Sequence, residues 1–255
     1  MRIGRSAGIV AVLGLLAMFA AQAGAAGART LPCNGSADLC DRPFNEVTLP
    51  GTHNSMSNAE EGWTKPNQTY SMSGQLSRGA RAMLIDTYYG KLTPDGKRIE
   101  NVDRELRDQP GVDMYLCHEF CVWGASRLVD ELGRVKAFLD AHPREVILFI
   151  NQAGITPADF GKAVEQSGLI DLVYRGSTTE SWPTLGEMIE TGQRVVMLSE
   201  SNTGDVPWYH NAYAGTLQET PYSFPARDAP SGIDNLTDPA LLDNSCKPNR
   251  GGSTG

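Results

Sequence analysis

Short runs of apolar residues alternate with helical patterns along most of this chain. Five apolar runs and a sixth, weaker one predict β-strands, at residues 46–49, 82–86, 112–117, 145–150, 194–199 and 214–218. The fourth run is continuously apolar from Val146 to Ile150, which is typical of a strand that is covered on both faces. The pattern therefore favours a sheet that is buried inside the protein.

Three segments between these runs carry helical signals. Leu128, Leu132, Val135 and Leu139 recur at helical spacing, and the pattern stops near Pro143. Two further helices are indicated by their capping residues, namely Thr156 with Pro157, and Thr184 with Glu187. Strands that alternate with helices predict an α/β protein, with a parallel sheet and helices outside it.

Polar side chains stand at corresponding places on four successive predicted strands. His53 comes just after the first strand, Asp86 ends the second, His118 follows the third and Asn151 follows the fourth. In a β/α barrel, the carboxyl ends of the strands are where the active site is assembled. The shared placement predicts an enzyme with these side chains at one end of the sheet.

The first residues carry a targeting signal. Arg2 and Arg5 precede an uncharged apolar run over residues 9–20, and Ala21 and Ala23 offer a small-residue cleavage site. This layout predicts a signal peptide over residues 1–23 and a secreted, extracellular protein. The alternative is a membrane anchor, but a helix that spans a bilayer needs about 20 apolar residues.

Length and charge narrow the class of partner. The 255 residues are enough for one domain with a sizeable core, and the formal net charge is −8 at pH 7. The chain contains no cluster of Lys and Arg, and clustered cations are what a protein needs to neutralise a phosphate backbone. The composition therefore argues against nucleic acid as a partner.

Secretion allows the five cysteines to form disulfides. Cys33 and Cys40 lie close together in the sequence, and Cys117 and Cys121 bracket a histidine, so each pair is a candidate for a local bridge. Cys246 is left without a local partner. The spacing matches neither a zinc site nor a redox pair.

His53 and His118 are predicted to face one pocket from different strands. Histidine is the side chain whose unperturbed pKa lies near neutrality, so such a pair suits a reaction that needs both a base and an acid. A single histidine at a strand end is more often structural. Two of them, with Asp86 on the strand between, favour catalysis.

The segments around these residues resemble the X domain of the phosphatidylinositol-specific phospholipases C, and most of all the phospholipase-C-like phosphodiesterases of plants, fungi and bacteria. The resemblance rests on residues 49–55, 75–88, 116–118, 182–185 and 244–250. It implies a (β/α) barrel of the TIM type as the catalytic domain. That domain would span residues 44–250, after an extension at 24–43 that holds Cys33 and Cys40, and before a flexible tail at 251–255.

The resemblance also implies roles for single residues. His53 would be the general base that takes a proton from the attacking hydroxyl group, and His118 the general acid that protonates the departing oxygen. Asp86 would be the third catalytic residue. Four side chains would contact the substrate: Asn54, Arg81, Asn151 and Tyr88. The implied partner is a phospholipid or another phosphodiester, met transiently at a membrane surface.

Calcium is the one cofactor that the resemblance implies as a candidate. The animal enzymes bind it through an Asn, two Glu and an Asp, and here Asn54 and Asp86 match while Leu84 and Asn151 replace the two glutamates. Calcium prefers six to eight oxygen ligands with several charges. Asn54 and Asp86 are therefore candidates for a weak calcium site only.

Two other functions compete with a phospholipase C. A sphingomyelinase-D-like phosphodiesterase shares the barrel and the two histidines, but Leu84 removes one carboxylate that its magnesium ion would need. A non-catalytic binding module on the same scaffold is favoured if phosphate stabilisation is missing, since Tyr88 stands where the bacterial enzymes have an arginine.

The strand count predicts an unfinished barrel. A closed barrel of this type has eight strands, and six are predicted before the glycine-rich end of the sequence. The expectation is a domain that is incomplete at its C-terminus, with an open sheet.

Overall fold

The computed structural model describes residues 31–219 together with Pro248, Arg250 and Gly251. The predicted signal peptide, Cys246 and residues 252–255 of the predicted tail lie outside the described residues. Among the helices that are described, none is both long enough and apolar enough to cross a membrane.

One sheet organises the described residues. Its strands in chain order are β1 Gly51–Thr52, β2 Ala82–Leu92, β3 Ile99–Val102, β4 Asp113–Leu116, β5 Ser126–Arg127, β6 Ile147–Ala153, β7 Val195–Ser199 and β8 Tyr209–Asn211. Strands β1, β2, β6, β7 and β8 lie side by side and are parallel. This is the strand arrangement of a β/α barrel. In the part of the chain that is described, β1 and β8 do not pair with each other, so the sheet is open.

Strand β4 differs from the prediction in its direction. It pairs antiparallel with β2, not parallel, and β3 and β5 are antiparallel to their neighbours as well. The reason is that β2 does not end at Asp86. It continues to Leu92 and turns back into β3, with Gly96 in a left-handed conformation at the turn. His118 nevertheless comes close to Asp86, because Leu116 of β4 pairs with Thr87 of β2.

Two other predicted strands are wrong. Residues 46–49 form the end of a short 3₁₀ helix and a loop, and the last described strand is Tyr209–Asn211, upstream of the predicted 214–218. The helices agree better with the sequence. Three follow the predicted capping and spacing, and α1 was not predicted; their bounds are α1 Met72–Ser77, α2 Leu128–Ala141, α3 Pro157–Gln166 and α4 Leu185–Glu190. The Thr184–Glu187 capping box is present.

The two faces of the sheet carry different cores, because side chains alternate along each strand. One face holds Met83, Ile85 and Phe149, which pack against the apolar sides of α2 and α3. The other face holds Ala82 and Leu148, together with residues that precede β1. The even-numbered residues of β2, from Ala82 onward, lie on this second face, which corresponds to the inner face of a barrel.

Both predicted disulfides are present. Cys33 and Cys40 are bonded with their Cα atoms 5.2 Å apart, and Cys117 and Cys121 with theirs 4.9 Å apart. The first bridge lies in the segment before β1. The second closes the loop that follows β4 and encloses His118.

Candidate active site

Asp86 lies on the inner face of the sheet, level with polar residues on the next two strands. The register pairs Asp86 with Gln152 of β6, and pairs Asn151 with Ser199 of β7. One step further along, Gln152 is therefore level with Glu200, which directly follows β7. Asp86 and Gln152 on their strands, and Glu200 just past the end of β7, thus lie at one height on one face of the sheet.

The loop after β1 brings Asn54 to His118. The side-chain amide nitrogen Nδ2 of Asn54 lies 3.1 Å from Nε2 of His118, and Asn54 is only 3% exposed. Asn54 has a left-handed backbone with φ +50°, a conformation that Asn adopts more readily than most residues. The next residue anchors this loop to β2, since the N–H of Ser55 donates to the carbonyl oxygen of Leu84 at 2.9 Å.

His53 precedes Asn54, and its side chain is exposed at the surface. Its backbone is held by Gln68, whose Nε2 donates to the His53 carbonyl oxygen at 2.7 Å. The chain is therefore fixed at His53 while the imidazole remains open to solvent and to an incoming ligand.

The loop that carries His118 is held at several points. The N–H of Cys117 donates to the carbonyl oxygen of Asp86 at 3.3 Å, and the disulfide to Cys121 closes the loop. Asn101 of β3 bonds both sides of it: its Nδ2 donates to the carbonyl oxygen of Glu119 at 2.9 Å, and its Oδ1 accepts from the N–H of Cys121 at 2.8 Å. These contacts fix the backbone on either side of the His118 ring.

The electrostatics of the site centre on Asp86. Burial, followed by the charges of Glu200 and Glu119, raises the pKa of Asp86 from its ordinary 3.8 to about 7. The pKa of Tyr88, two residues further along the same face of β2, is also raised, first by burial and then by Asp86 and Glu119. Asp86 therefore exchanges its proton near neutral pH, and Tyr88 keeps its hydroxyl proton there.

Arg250 brings a cation to the edge of this group. It donates two hydrogen bonds to the carboxylate of Glu200, at 2.8 and 3.3 Å, and two more to Glu219, at 2.7 and 2.6 Å. The guanidinium also lies 4.4 Å from the centre of the Tyr213 ring. Arg250 thus lies near the end of β7.

Two residues predicted from the sequence do not join this group. Asn151 lies on the helix-facing side of the sheet, fully buried, where its Oδ1 accepts from Thr87 at 3.1 Å and its Nδ2 donates to Tyr209 at 2.8 Å. Arg81 forms an ion pair with Glu145 at 2.6 Å. It precedes Asp86 by five residues, so the two are about 16 Å apart along the strand.

Sequence reasoning missed Gln152, Glu200 and the position of Arg250. Gln152 was missed because the predicted β6 ended at residue 150, which made Asn151 the first polar residue after the strand. The two-residue period of a strand could have found it, since Asn151 lies on the same face as Phe149, whereas Gln152 lies on the same face as Leu148.

The donor set does not fit a calcium ion at Asn54 and Asp86. Within residues 31–219, no group of three or more His, Cys, Asp and Glu side chains is arranged to hold a metal. Glu200 is engaged by Arg250, the amide of Asn54 contacts His118, and Asp86 is the one carboxylate of the predicted pair. Calcium prefers several charged oxygens, which this set does not supply.

The chain is similar to several known proteins. The PI-PLC X family model, described as PI-PLC X 1, matches residues 97–234, which include His118 and begin after His53 and Asp86. An uncharacterized secreted protein of Arthroderma benhamiae is 30% identical over 80% of this chain and 43% of its own length. A PI-PLC X domain-containing protein 1 of the same fungus is 29% identical over 77% of this chain and 60% of its own.

A phosphatidylinositol-specific phospholipase C of Staphylococcus aureus is similar in structure, with 19% identity and a TM-score of 0.45 over 66% of this chain and 52% of that one. The chain spans 43% of the length of the first fungal relative and 60% of the length of the second. The two disulfides fit an extracellular protein. Since the family model covers more than half of the chain, the protein belongs to the PI-PLC X domain family.

Proposed function

We propose that this protein is a secreted phosphodiesterase of the phospholipase C type, which cleaves phosphatidylinositol-like phosphodiesters by general acid–base catalysis. The observation that carries the proposal is the hydrogen bond between Asn54 and His118 beside the buried Asp86. It joins the loop after β1, which carries His53, to the loop after β4, which carries His118. Membership of the PI-PLC X family supports the same reaction class.

In the proposed reaction, His53 takes the proton from a hydroxyl group, and the resulting oxygen attacks phosphorus. The bond from phosphorus to the leaving oxygen breaks, and His118 gives that oxygen a proton. When the attacking group is the neighbouring hydroxyl of an inositol ring, the product is a cyclic phosphodiester. Water then opens the ring with the roles of the two histidines reversed. Each proton transfer of this kind contributes about 10²–10⁴-fold to a rate.

Asp86 has a role that its environment suggests. A carboxylate would repel the negative phosphoryl oxygens, but a neutral carboxylic acid can donate a hydrogen bond to one of them. The pKa of about 7 keeps a large part of Asp86 protonated at neutral pH, and an anionic substrate nearby increases that part. Tyr88, on the same face of β2, can donate a second hydrogen bond to the substrate.

The test is turnover of phosphatidylinositol vesicles by the wild type and by His53→Ala and His118→Ala. Both variants are expected to lose about 10²-fold or more. His142→Ala is the matched control, because His142 lies at the end of α2, where its Nδ1 is 2.8 Å from the Phe138 carbonyl oxygen. Full activity in His53→Ala or His118→Ala would remove the proposed mechanism. Release of inositol phosphate identifies a phospholipase C, whereas release of the free head group identifies the sphingomyelinase-D-like alternative.

One observation favours a second function, that of a non-catalytic module that binds a phosphodiester. Tyr88 stands where the bacterial enzymes of this resemblance have an arginine, and the charges acting on Asp86 are those of Glu200 and Glu119. Both are acidic and do not stabilise a phosphoryl transition state. Saturable binding of phosphatidylinositol without any product would establish this second function.

A further inference from the structure

Glu119 occupies a strained backbone position directly after His118. Its φ is +57°, in the left-handed region that few residues other than Gly, Asn and Asp enter. The N–H of Phe120 donates to the carbonyl oxygen of His118 at 2.6 Å and closes a three-residue turn around Glu119. Three-residue turns with a positive φ at their centre are rare. Nδ2 of Asn101 holds the turn from outside, since it donates to the Glu119 carbonyl oxygen at 2.9 Å.

The carboxylate of Glu119 acts on the inner face of the sheet. Burial is the main cause of the raised pKa values of Asp86 and Tyr88, and the charge of Glu119 contributes to both. The other charge that acts on Asp86 is that of Glu200, which is also acidic. Glu200 is bonded to Arg250, whereas the carboxylate of Glu119 is exposed and has no ion pair or hydrogen bond among the described residues. Glu119 therefore adds an unpaired negative charge to the site.

The side chain of Asp86 is available to a ligand. It is only 5% exposed, and no residue in the described part of the chain hydrogen-bonds to it. Buried polar groups are normally hydrogen-bonded, so this carboxyl group is suited to a partner that a bound molecule supplies. The Tyr88 hydroxyl and the Gln152 amide lie on the same face and can bond the same molecule. The inner face thus offers both donors and acceptors beside the charge of Glu119.

We propose that Glu119 is a specificity-determining residue, through which the site accepts a head group that bears hydroxyl groups and rejects one that also bears a phosphate monoester. A carboxylate accepts hydrogen bonds from hydroxyl groups. A phosphate monoester carries a charge of about −1.5 to −2 at pH 7, and like charges brought together are strongly disfavoured.

This inference rests on the proposed function, which places the diester between His53 and His118. The acyl chains of the substrate are apolar, while the inner face at the height of Asp86 is polar. The head group is therefore the part of the substrate that meets Asp86 and Glu119. The charges that act on Asp86 and Tyr88 are all acidic, so an additional phosphate on the head group would be repelled there.

The experiment measures binding by calorimetry, so that it does not depend on turnover. The ligands are inositol 1-phosphate and inositol 1,4-bisphosphate, and the proteins are the full-length wild type, Glu119→Gln and Glu119→Lys. We expect the wild type to bind the monophosphate about tenfold more tightly or better, and Glu119→Lys to reduce this ratio of Kd values by about fivefold or more. Glu119→Gln should lie between them. Because Glu119 is exposed, high salt should reduce the preference of the wild type as well.

Glu165→Lys is the matched control. Glu165 is exposed on α3, on the outer side of the sheet, and its substitution changes the net charge equally. Its ratio of Kd values should equal that of the wild type. The fold of each variant is checked by its thermal melt, and a change in the ratio between two ligands is not produced by a loss of stability alone.

Equal affinity of the wild type for the two ligands overturns the inference, and so does an unchanged ratio in Glu119→Lys or an equal change in Glu165→Lys. Failure of the wild type to bind either ligand at millimolar concentration overturns it too, as does tighter binding of phosphocholine than of inositol 1-phosphate. If the ratio follows Glu119 but the wild type releases no product from phosphatidylinositol, only the phosphodiesterase proposal fails. If phosphatidylinositol is cleaved and the ratio does not follow Glu119, only this inference fails.

Discussion

Asn54 meets His118 through an amide, which can either donate or accept a hydrogen bond. With Nδ2 turned toward Nε2, at 3.1 Å, the amide donates to a neutral ring that carries its proton on Nδ1. Turned over, it presents Oδ1 and accepts from the Nε2–H of a cationic ring. The orientation of the amide therefore decides which ring nitrogen of His118 carries the proton in the neutral form.

The first prediction changes this partner alone. Asn54→Gly keeps the left-handed backbone but removes the amide, whereas Asn54→Asp keeps the shape and leaves only acceptors. The carboxylate stabilises the cationic His118. In Asn54→Asp we therefore expect the high-pH limb of the pH–rate profile to shift to higher pH. Asn54→Gly should lose activity at all pH values, by about tenfold or more. Identical pH profiles for wild type and Asn54→Asp would show that the amide does not act on His118.

The second prediction concerns the coupling of the two histidines. His53→Ala and His118→Ala act on one transition state, so the double variant should be little slower than the slower single variant. Steady-state rates on phosphatidylinositol for the wild type and all three variants measure this. Losses that multiply would mean that the two residues act in separate steps.

The third prediction concerns stability and pH. The pKa of Asp86 is raised from 3.8 to about 7, so between about pH 4 and 7 the unfolded chain releases a proton that the folded protein keeps. The free energy of unfolding therefore falls as pH rises through this window. Asp86→Asn should raise Tm at pH 8 and flatten its decline from pH 5 to 8, by about 2–4 °C for each kcal/mol recovered.

Glu131 on α2 provides the control, because burial also raises its pKa, from 4.5 to about 7, despite its ion pair with Arg134. Glu131→Gln should flatten the same pH dependence and leave turnover unchanged. Asp86→Asn should lower turnover as well. Equal turnover in the two variants would deny Asp86 a part in the reaction, whatever its effect on Tm.

The fourth prediction separates the two disulfides. Each closes a short loop, so replacing either pair by serine should cost about 2 kcal/mol of stability. Only the Cys117–Cys121 pair encloses His118, and its loss should lower kcat at temperatures where the fold is intact. The Cys33–Cys40 pair serves as the control. Thermal melts and initial rates on both variants measure the difference, and equal rates would contradict a positioning role for the second bridge.

Sequence patterns predicted those structural features that depend only on residues close together in the chain. The cap at Thr156 and the capping box at Thr184 gave the starts of α3 and α4, since both are satisfied within one helical turn. The direction of β4 could not be predicted in the same way. It depends on the length of β2, which continues past Asp86 to Leu92 before the chain turns back into β3.

The candidate site was predictable where an error of one residue in a strand boundary does not change which residues come together. Asp86, His118 and Asn54 come together as the motifs indicated, though the strand before His118 runs the other way. Asn151 was assigned to the site, but side chains in a strand change face at every residue, and Gln152 is the one that lies beside Asp86. Arg81 was assigned from a motif, and its ion pair with Glu145 was not visible there.

The buried contacts of Asn151 have a consequence for how the strands find their alignment. Thr87, Asn151 and Tyr209 form a hydrogen-bonded row across the helix-facing side of the sheet, within the layer that packs against α2 and α3. If β6 slipped by one residue, these polar groups would lose their partners in a place that water does not reach, and each would be strongly penalised. The hydrogen-bonded row therefore favours a single register of β6 against its neighbours. In that register, Asp86 and Gln152 are paired on the opposite face of the sheet.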